Sequence, residues 1–97
     1  MVKLSYEAVR TALQSLPGWS LTGEEISKQF VYPSFPDAMR FVNEVADLAE
    51  QADHHPDIRI NYRRVTLTLS THSEGGLTQK DFDLAAAIEK NQPKQTG

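Results

Sequence analysis

The sequence predicts an α+β two-layer sandwich, a four-stranded antiparallel sheet with helices on one face, in the order helix, strand, strand, helix, strand, strand, helix. Three observations lead there. Ala38, Phe41, Val42, Val45, Leu48, Ala49 and Ala52 recur on one stripe at helical spacing, so that segment must bury one face. Four short segments alternate apolar and polar residues with a period of two, as half-buried strands do. Within each pair of these segments the connection is only a few residues long, which makes the paired strands antiparallel. Helices with one apolar stripe then need one sheet face to cover.

The elements follow in order. Ser5 is placed as an N-cap with Glu7 in the first turn, and Val9, Leu13 and Leu16 continue at helical spacing until Pro17-Gly18 stops the helix. Trp19-Ser20-Leu21 alternates, Thr22-Gly23-Glu24 turns, and Ile26, Lys28 and Phe30 alternate with Ser27, Gln29 and Val31 up to Tyr32-Pro33. Ser34 caps the second helix with Asp37 at capping-box spacing, and Pro56 turns His55 away from helical angles, so the helix ends near Asp53. Ile58, Ile60 and Tyr62 mark a third strand, Arg63-Arg64 a tight turn, and Val65, Leu67 and Leu69 a fourth strand. After Gly75-Gly76, Thr78 caps a third helix with Asp81 three residues on, and Phe82, Leu84, Ala85 and Ile88 supply its apolar positions.

A chain of 97 residues holds one small domain, placed here at residues 1–90, with a polar, flexible tail at 91–97 (NQPKQTG). The absence of cysteine excludes disulfides, thiolate catalysis and Cys-type zinc sites. Net charge is −3 with no basic run, which argues against direct binding of nucleic acid. No apolar run approaches the ~18 residues of a membrane span, and the first residues show no secretory pattern, so a cytoplasmic protein is expected. Residues 65–71 (VTLTLST) carry no charge and have high β propensity. Such a strand must be central or paired with another copy, and this points toward a homo-oligomer.

All three histidines lie between positions 54 and 72, at the end of the second helix and the end of the fourth strand. Glu50 and His54, four residues apart, share a helix face turned away from the apolar stripe. His72 continues the Thr66–Thr68–Ser70 face of the fourth strand, beside a glycine pair. Histidines with carboxylates nearby suit general acid–base work near neutral pH. Each feature also has a plain structural reading: a polar helix exit for His54-His55, a capping-box residue for Asp81, a core aromatic for Trp19. A zinc site from His54, His72 and Glu50 or Asp53 is the sharper rival. Adjacent histidines do not readily face one ion and no His-x-x-x-His pair is present, so no metal is expected.

One pattern is specific. Glu50, three residues, His54-His55-Pro56, five residues, Tyr62, nine residues, His72, eight residues and Asp81 resembles the signature of the pterin-4a-carbinolamine dehydratases at every spacing. The surrounding text, DHHPDIRINY, STHSEGGLT and DFDLA, is similar as well. The resemblance implies dehydration of 4a-hydroxytetrahydropterin to the quinonoid dihydropterin, in tetrahydrobiopterin recycling, without metal or organic cofactor. It implies His54 and His72 as the acid–base pair and His55 as a binding and positioning residue. Glu50, Asp53, Pro56, Asp81 and Trp19 would bind or orient the pterin or the histidines. It also implies a homodimer or homotetramer. The rival to this enzyme is a non-catalytic interaction module of the same fold, which would have no use for all three histidines.

Overall fold

Local sequence starts each helix. In the computed structural model, which describes residues 2–92, the Ser34 hydroxyl accepts the Asp37 amide at 3.2 Å and opens α2 (Phe35–Ala52). Ser5 does the same for α1 (Tyr6–Leu13) through the amide of Ala8. Thr78 and Asp81 form a reciprocal capping box at the head of α3 (Gln79–Asn91). α3 includes Asn91, so the helix runs into the expected tail, whose last five residues lie outside those described.

The strands are β1 (Ser20–Thr22), β2 (Glu25–Val31), β3 (Asp57–Asn61) and β4 (Arg64–Leu69), in the spatial order β1-β2-β4-β3 and all antiparallel. The helices cover one face. Ile26 and Phe30 of β2, opposite Leu69 and Val65 of β4, meet Ala38, Phe41, Val45 and Leu84, Ala85 and Ile88 in a single core. Each fully buried aliphatic or aromatic side chain contributes about 1.5–3 kcal/mol. Thr66, Thr68 and Ser70 point to the uncovered face.

Two further details depart from the sequence expectation, and one alternative it left open is decided. The β3–β4 turn is Tyr62-Arg63, closed by the Asn61–Arg64 pair, with Tyr62 at φ 53°. The register that buries Val65, Leu67 and Leu69 requires Arg64 to be paired, which shifts the turn one residue earlier. His72 has left the strand: β4 ends at Leu69 and residues His72–Glu74 form a 3₁₀ turn, closed by a Thr71–Gly76 bridge. Finally, β4 is flanked by β2 and β3 of its own chain, so its apolar run is no argument for a partner copy.

Lys28 occupies a core-facing position between Ile26 and Phe30. Its ammonium lies 4.9 Å from the Phe30 ring centre and 2.8 Å from Glu89, and Trp19 donates its indole N–H to the same carboxylate at 3.0 Å. Gly18 is required beside it: φ is +88°, and a Cβ there would lie 2.9 Å from Cε of Lys28. Tyr32, nearby in the core, is fully buried, and its hydroxyl has no partner among the described residues. Burial, with a smaller contribution from the Glu89 charge, raises its pKa above the ordinary tyrosine value. A group whose folded pKa is raised contributes stability that is intact below about pH 10, the unfolded tyrosine value, and is lost as pH climbs toward the folded value. Y32F is therefore expected to be as stable as the parent or up to about 1 kcal/mol more so at neutral pH. It should also flatten the loss of stability above about pH 10. Urea titrations at pH 7 and 11 check this; an equally steep alkaline loss in Y32F overturns it.

Candidate functional site

The site begins where α2 stops. Asp53 takes the left-handed conformation (φ 49°, ψ 42°). The His54 amide donates to the Ala49 carbonyl at 3.1 Å and the Asp53 amide to the Glu50 carbonyl at 3.2 Å. This is a Schellman termination with aspartate where glycine is usual. The chain is turned off the helix axis just before the two histidines, and Pro56 keeps the exit extended.

The consecutive imidazoles diverge. His54, whose side chain is 11% exposed, turns inward and brings Nε2 to 2.6 Å from Oδ1 of Asp81. Asp81 is completely buried, and its other oxygen, Oδ2, accepts the Thr78 amide at 2.9 Å and the Thr71 hydroxyl at 2.9 Å. The Thr71 and Thr78 hydroxyls are themselves 2.9 Å apart, so Thr78 donates to Thr71 when Thr71 donates to Asp81. One carboxylate thus serves as a capping-box residue and as the partner of a histidine. By sequence alone these two roles are alternatives.

His55 turns outward, and its Nε2 lies 2.5 Å from Glu50 in an exposed pair. Glu50 therefore meets His55 and not His54, a correction to the helical i,i+4 expectation: the left-handed Asp53 takes His54 off the helix before that spacing applies. His55 and Pro56 line a cleft of about 270 Å³ together with Glu25, Asp57, Thr68, Ser70 and His72. Thr68 and Ser70 belong to the uncovered sheet face, and His72, exposed at the start of its 3₁₀ turn, closes one end. The expectation that His72 shares their side of the chain is met, from a different element. Larger grooves, one of about 290 Å³ near the N-terminus and one of about 360 Å³ between α2 and α3, contain no histidine.

Trp19 does not join this group. It is packed edge-on against Phe30 in the core and spent on Glu89, on the helix side of the sheet. Asp53 contributes its backbone turn; its side chain is not among the residues lining the cleft. Glu25 and Thr71 were not anticipated. Glu25 reaches the cleft only because β2 pairs with β4 across the sheet, and Thr71 reads as one more strand residue until β4 is seen to end before it. Among the described residues, no group of three His, Asp or Glu side chains is placed to hold a metal ion. No described helix is long and apolar enough to cross a membrane.

The arrangement can move protons. His54 has one ring nitrogen committed to a buried carboxylate, which fixes its tautomer and leaves Nδ1 for exchange. The His72 imidazole has no hydrogen-bond partner among the described residues and opens on a polar cleft.

Comparison with known proteins agrees with the sequence resemblance. The family model for pterin 4 alpha carbinolamine dehydratase matches residues 2–91. A protein of Roseiflexus sp. (strain RS-1), provisionally named a pterin-4-alpha-carbinolamine dehydratase, is 56% identical over 88 residues, 91% of this chain and 95% of that one. One of Nocardia farcinica (strain IFM 10152), with the same provisional name, is 55% identical over 90% of this chain and 92% of its own. The crystal structure of a transcriptional coactivator/pterin dehydratase from Brucella melitensis superposes with a TM-score of 0.89 at 34% identity, covering 94% of this chain and 99% of that one. A pterin dehydratase-like protein described as a RuBisCO assembly factor in the alpha-carboxysome shares the fold, with a TM-score of 0.62 at 22% identity over 74% of this chain and 83% of its own.

Proposed function

Since the chain belongs to the pterin 4 alpha carbinolamine dehydratase family, we propose that it dehydrates a 4a-hydroxytetrahydropterin by histidine acid–base catalysis, in tetrahydrobiopterin recycling. The observation that carries the reading is the meeting of His55 and His72 at one polar cleft, which they reach from two chain segments. His54 is not among the residues lining that cleft and is linked to it through the Asp81 carboxylate, which also binds Thr71, the neighbour of His72.

The reaction breaks the C4a–O bond. One proton goes to the departing hydroxyl, which leaves as water, and one is removed from N5 as the C4a–N5 double bond forms. His72 and His54 are the pair that exchange these protons, and His55, steadied by Glu50, helps bind and position the pterin. Asp81 acts through His54. Pro56, Asp57, Glu25 and the Thr68 and Ser70 hydroxyls line the space for the ring. No redox or carbanion step occurs, so neither metal nor organic cofactor is called for.

We place the protein in the cytoplasm as a homodimer or homotetramer. The edge strand β3 supports association, because all five of its residues are exposed, with Ile58 and Ile60 at 36% and 41%. Sedimentation velocity decides this, and a strictly monomeric species at micromolar concentration overturns it.

The alternative is a scaffold without catalysis, a role akin to that stated for the RuBisCO assembly factor of this fold. The complete histidine set favours the enzyme. The deciding measurement is the rate at which purified protein dehydrates enzymically generated 4a-hydroxytetrahydropterin, with and without a chelator. Acceleration over buffer that survives the chelator is expected. No acceleration by folded protein would transfer the assignment to the scaffold.

A further inference from the structure

We propose that Thr71 is a positioning residue that sets His54 and His72 relative to each other, an inference that rests on the dehydratase reading above. Three connections meet at Thr71. Its peptide bond carries His72. Its backbone closes the turn that holds His72, with the Thr71 amide donating to the Gly76 carbonyl at 2.9 Å and the Gly76 amide donating back at 3.3 Å. Its hydroxyl donates at 2.9 Å to Oδ2 of Asp81, whose Oδ1 meets His54 at 2.6 Å.

The hydroxyl sits in the interior. Thr71 is 7% exposed, Thr78 and Asp81 are fully buried, and Thr71 does not line the cleft. Its hydroxyl is spent inside the network, on Asp81 and Thr78, so it acts through the two histidines. The carboxylate has a definite orientation because Oδ2 is gripped by two donors, the Thr78 amide and the Thr71 hydroxyl, which leaves Oδ1 for the imidazole. With the Thr71 hydroxyl removed, one donor remains on Oδ2 and the Thr78 hydroxyl loses its acceptor. The carboxylate can then rotate, and the His54 ring with it. Buried polar networks set geometry in this way only while every member is satisfied.

The test uses T71V, which keeps the β-branch, the volume and the backbone bridge, and T71S, which keeps the hydroxyl. Steady-state kinetics are read together with ¹⁵N NMR of the imidazoles. T71V is expected to lower kcat about tenfold, near the low end for one hydrogen bond to a charged group, with KM changed by less than about twofold. In the parent protein at a pH where His54 is neutral, its resonances should be those of the Nε2–H tautomer, and in T71V those of a tautomer mixture. T71S should restore both. Three results each overturn the proposal: a T71V enzyme with parental kcat, a loss that follows only the unfolded fraction seen by circular dichroism, or a T71S enzyme as impaired as T71V. Failure of the underlying reading looks different. Parent protein that does not dehydrate, while T71V still disturbs the His54 tautomer and the His72 resonances, removes the dehydratase assignment and keeps the coupling.

Discussion

H72A is expected to lose between about 10² and 10⁴ of its kcat, the usual contribution of a positioned acid or base, while unfolding at nearly the parental temperature. The separation of the two effects comes from where His72 sits. Its side chain is exposed at the start of a 3₁₀ turn, and that turn is closed by backbone contacts of Thr71, Gly75 and Gly76 rather than by the imidazole. Removing it exposes no core and orphans no buried group, so stability should move by no more than about 0.5 kcal/mol. Parallel measurement of turnover and thermal unfolding checks both halves. An H72A protein with more than about a third of parental turnover would remove His72 from the chemistry.

D81A should do the opposite and damage fold and function together. The substitution deprives the Thr78 amide, the Thr71 hydroxyl and the His54 imidazole of their shared acceptor in a place without solvent. Each buried donor left unsatisfied costs about 1–3 kcal/mol, and partial relaxation brings the total to roughly 2–4 kcal/mol. For a domain near 100 residues this lowers Tm by roughly 10–25 °C. D81N is the informative companion. Its single carbonyl oxygen still accepts the Thr78 amide and recovers part of the capping box, but it cannot also receive the imidazole. D81N is therefore expected to regain much of the Tm yet stay at least tenfold down in kcat. Thermal scans and single-turnover rates on the two variants separate the roles; D81N with parental kcat would confine Asp81 to capping.

How much of this was legible beforehand differs by kind of interaction. The elements follow from local rules, such as the Ser34 and Thr78 caps and the alternation of Val65, Leu67 and Leu69, and these appear where expected. The histidines, Glu50, Pro56 and Asp81 were visible through residue types at fixed spacings. What could not be read is which partner each one finds. The spacing puts Glu50 and His54 on one helix face, but Asp53 adopts φ 49° and cancels that geometry. The family resemblance implies a place for Trp19 near the pterin, but an indole N–H in the core needs an acceptor, and Glu89, 70 positions away in sequence, supplies it. Lys28 read as an alternating strand residue and proved to be the cation beneath Phe30. The Trp19 and Lys28 outcomes depend on long-range contacts and the Glu50 outcome on one backbone conformation, none of which one-dimensional patterns encode.

The strand order β1-β2-β4-β3 has a consequence for the time at which activity appears during folding. β1–β2 and β3–β4 are neighbours in sequence, and each is a hairpin able to form within about 1–10 μs. The β2–β4 ladder is another matter, because it joins residues on either side of all of α2 and β3 and bears the loop-closure cost of that span. The cleft takes Glu25 from one hairpin and Asp57, Thr68 and Ser70 from the other. It therefore comes into being only with this last, slowest docking. In refolding from denaturant, turnover should recover in step with the final kinetic phase, behind the appearance of helix and hairpin signals.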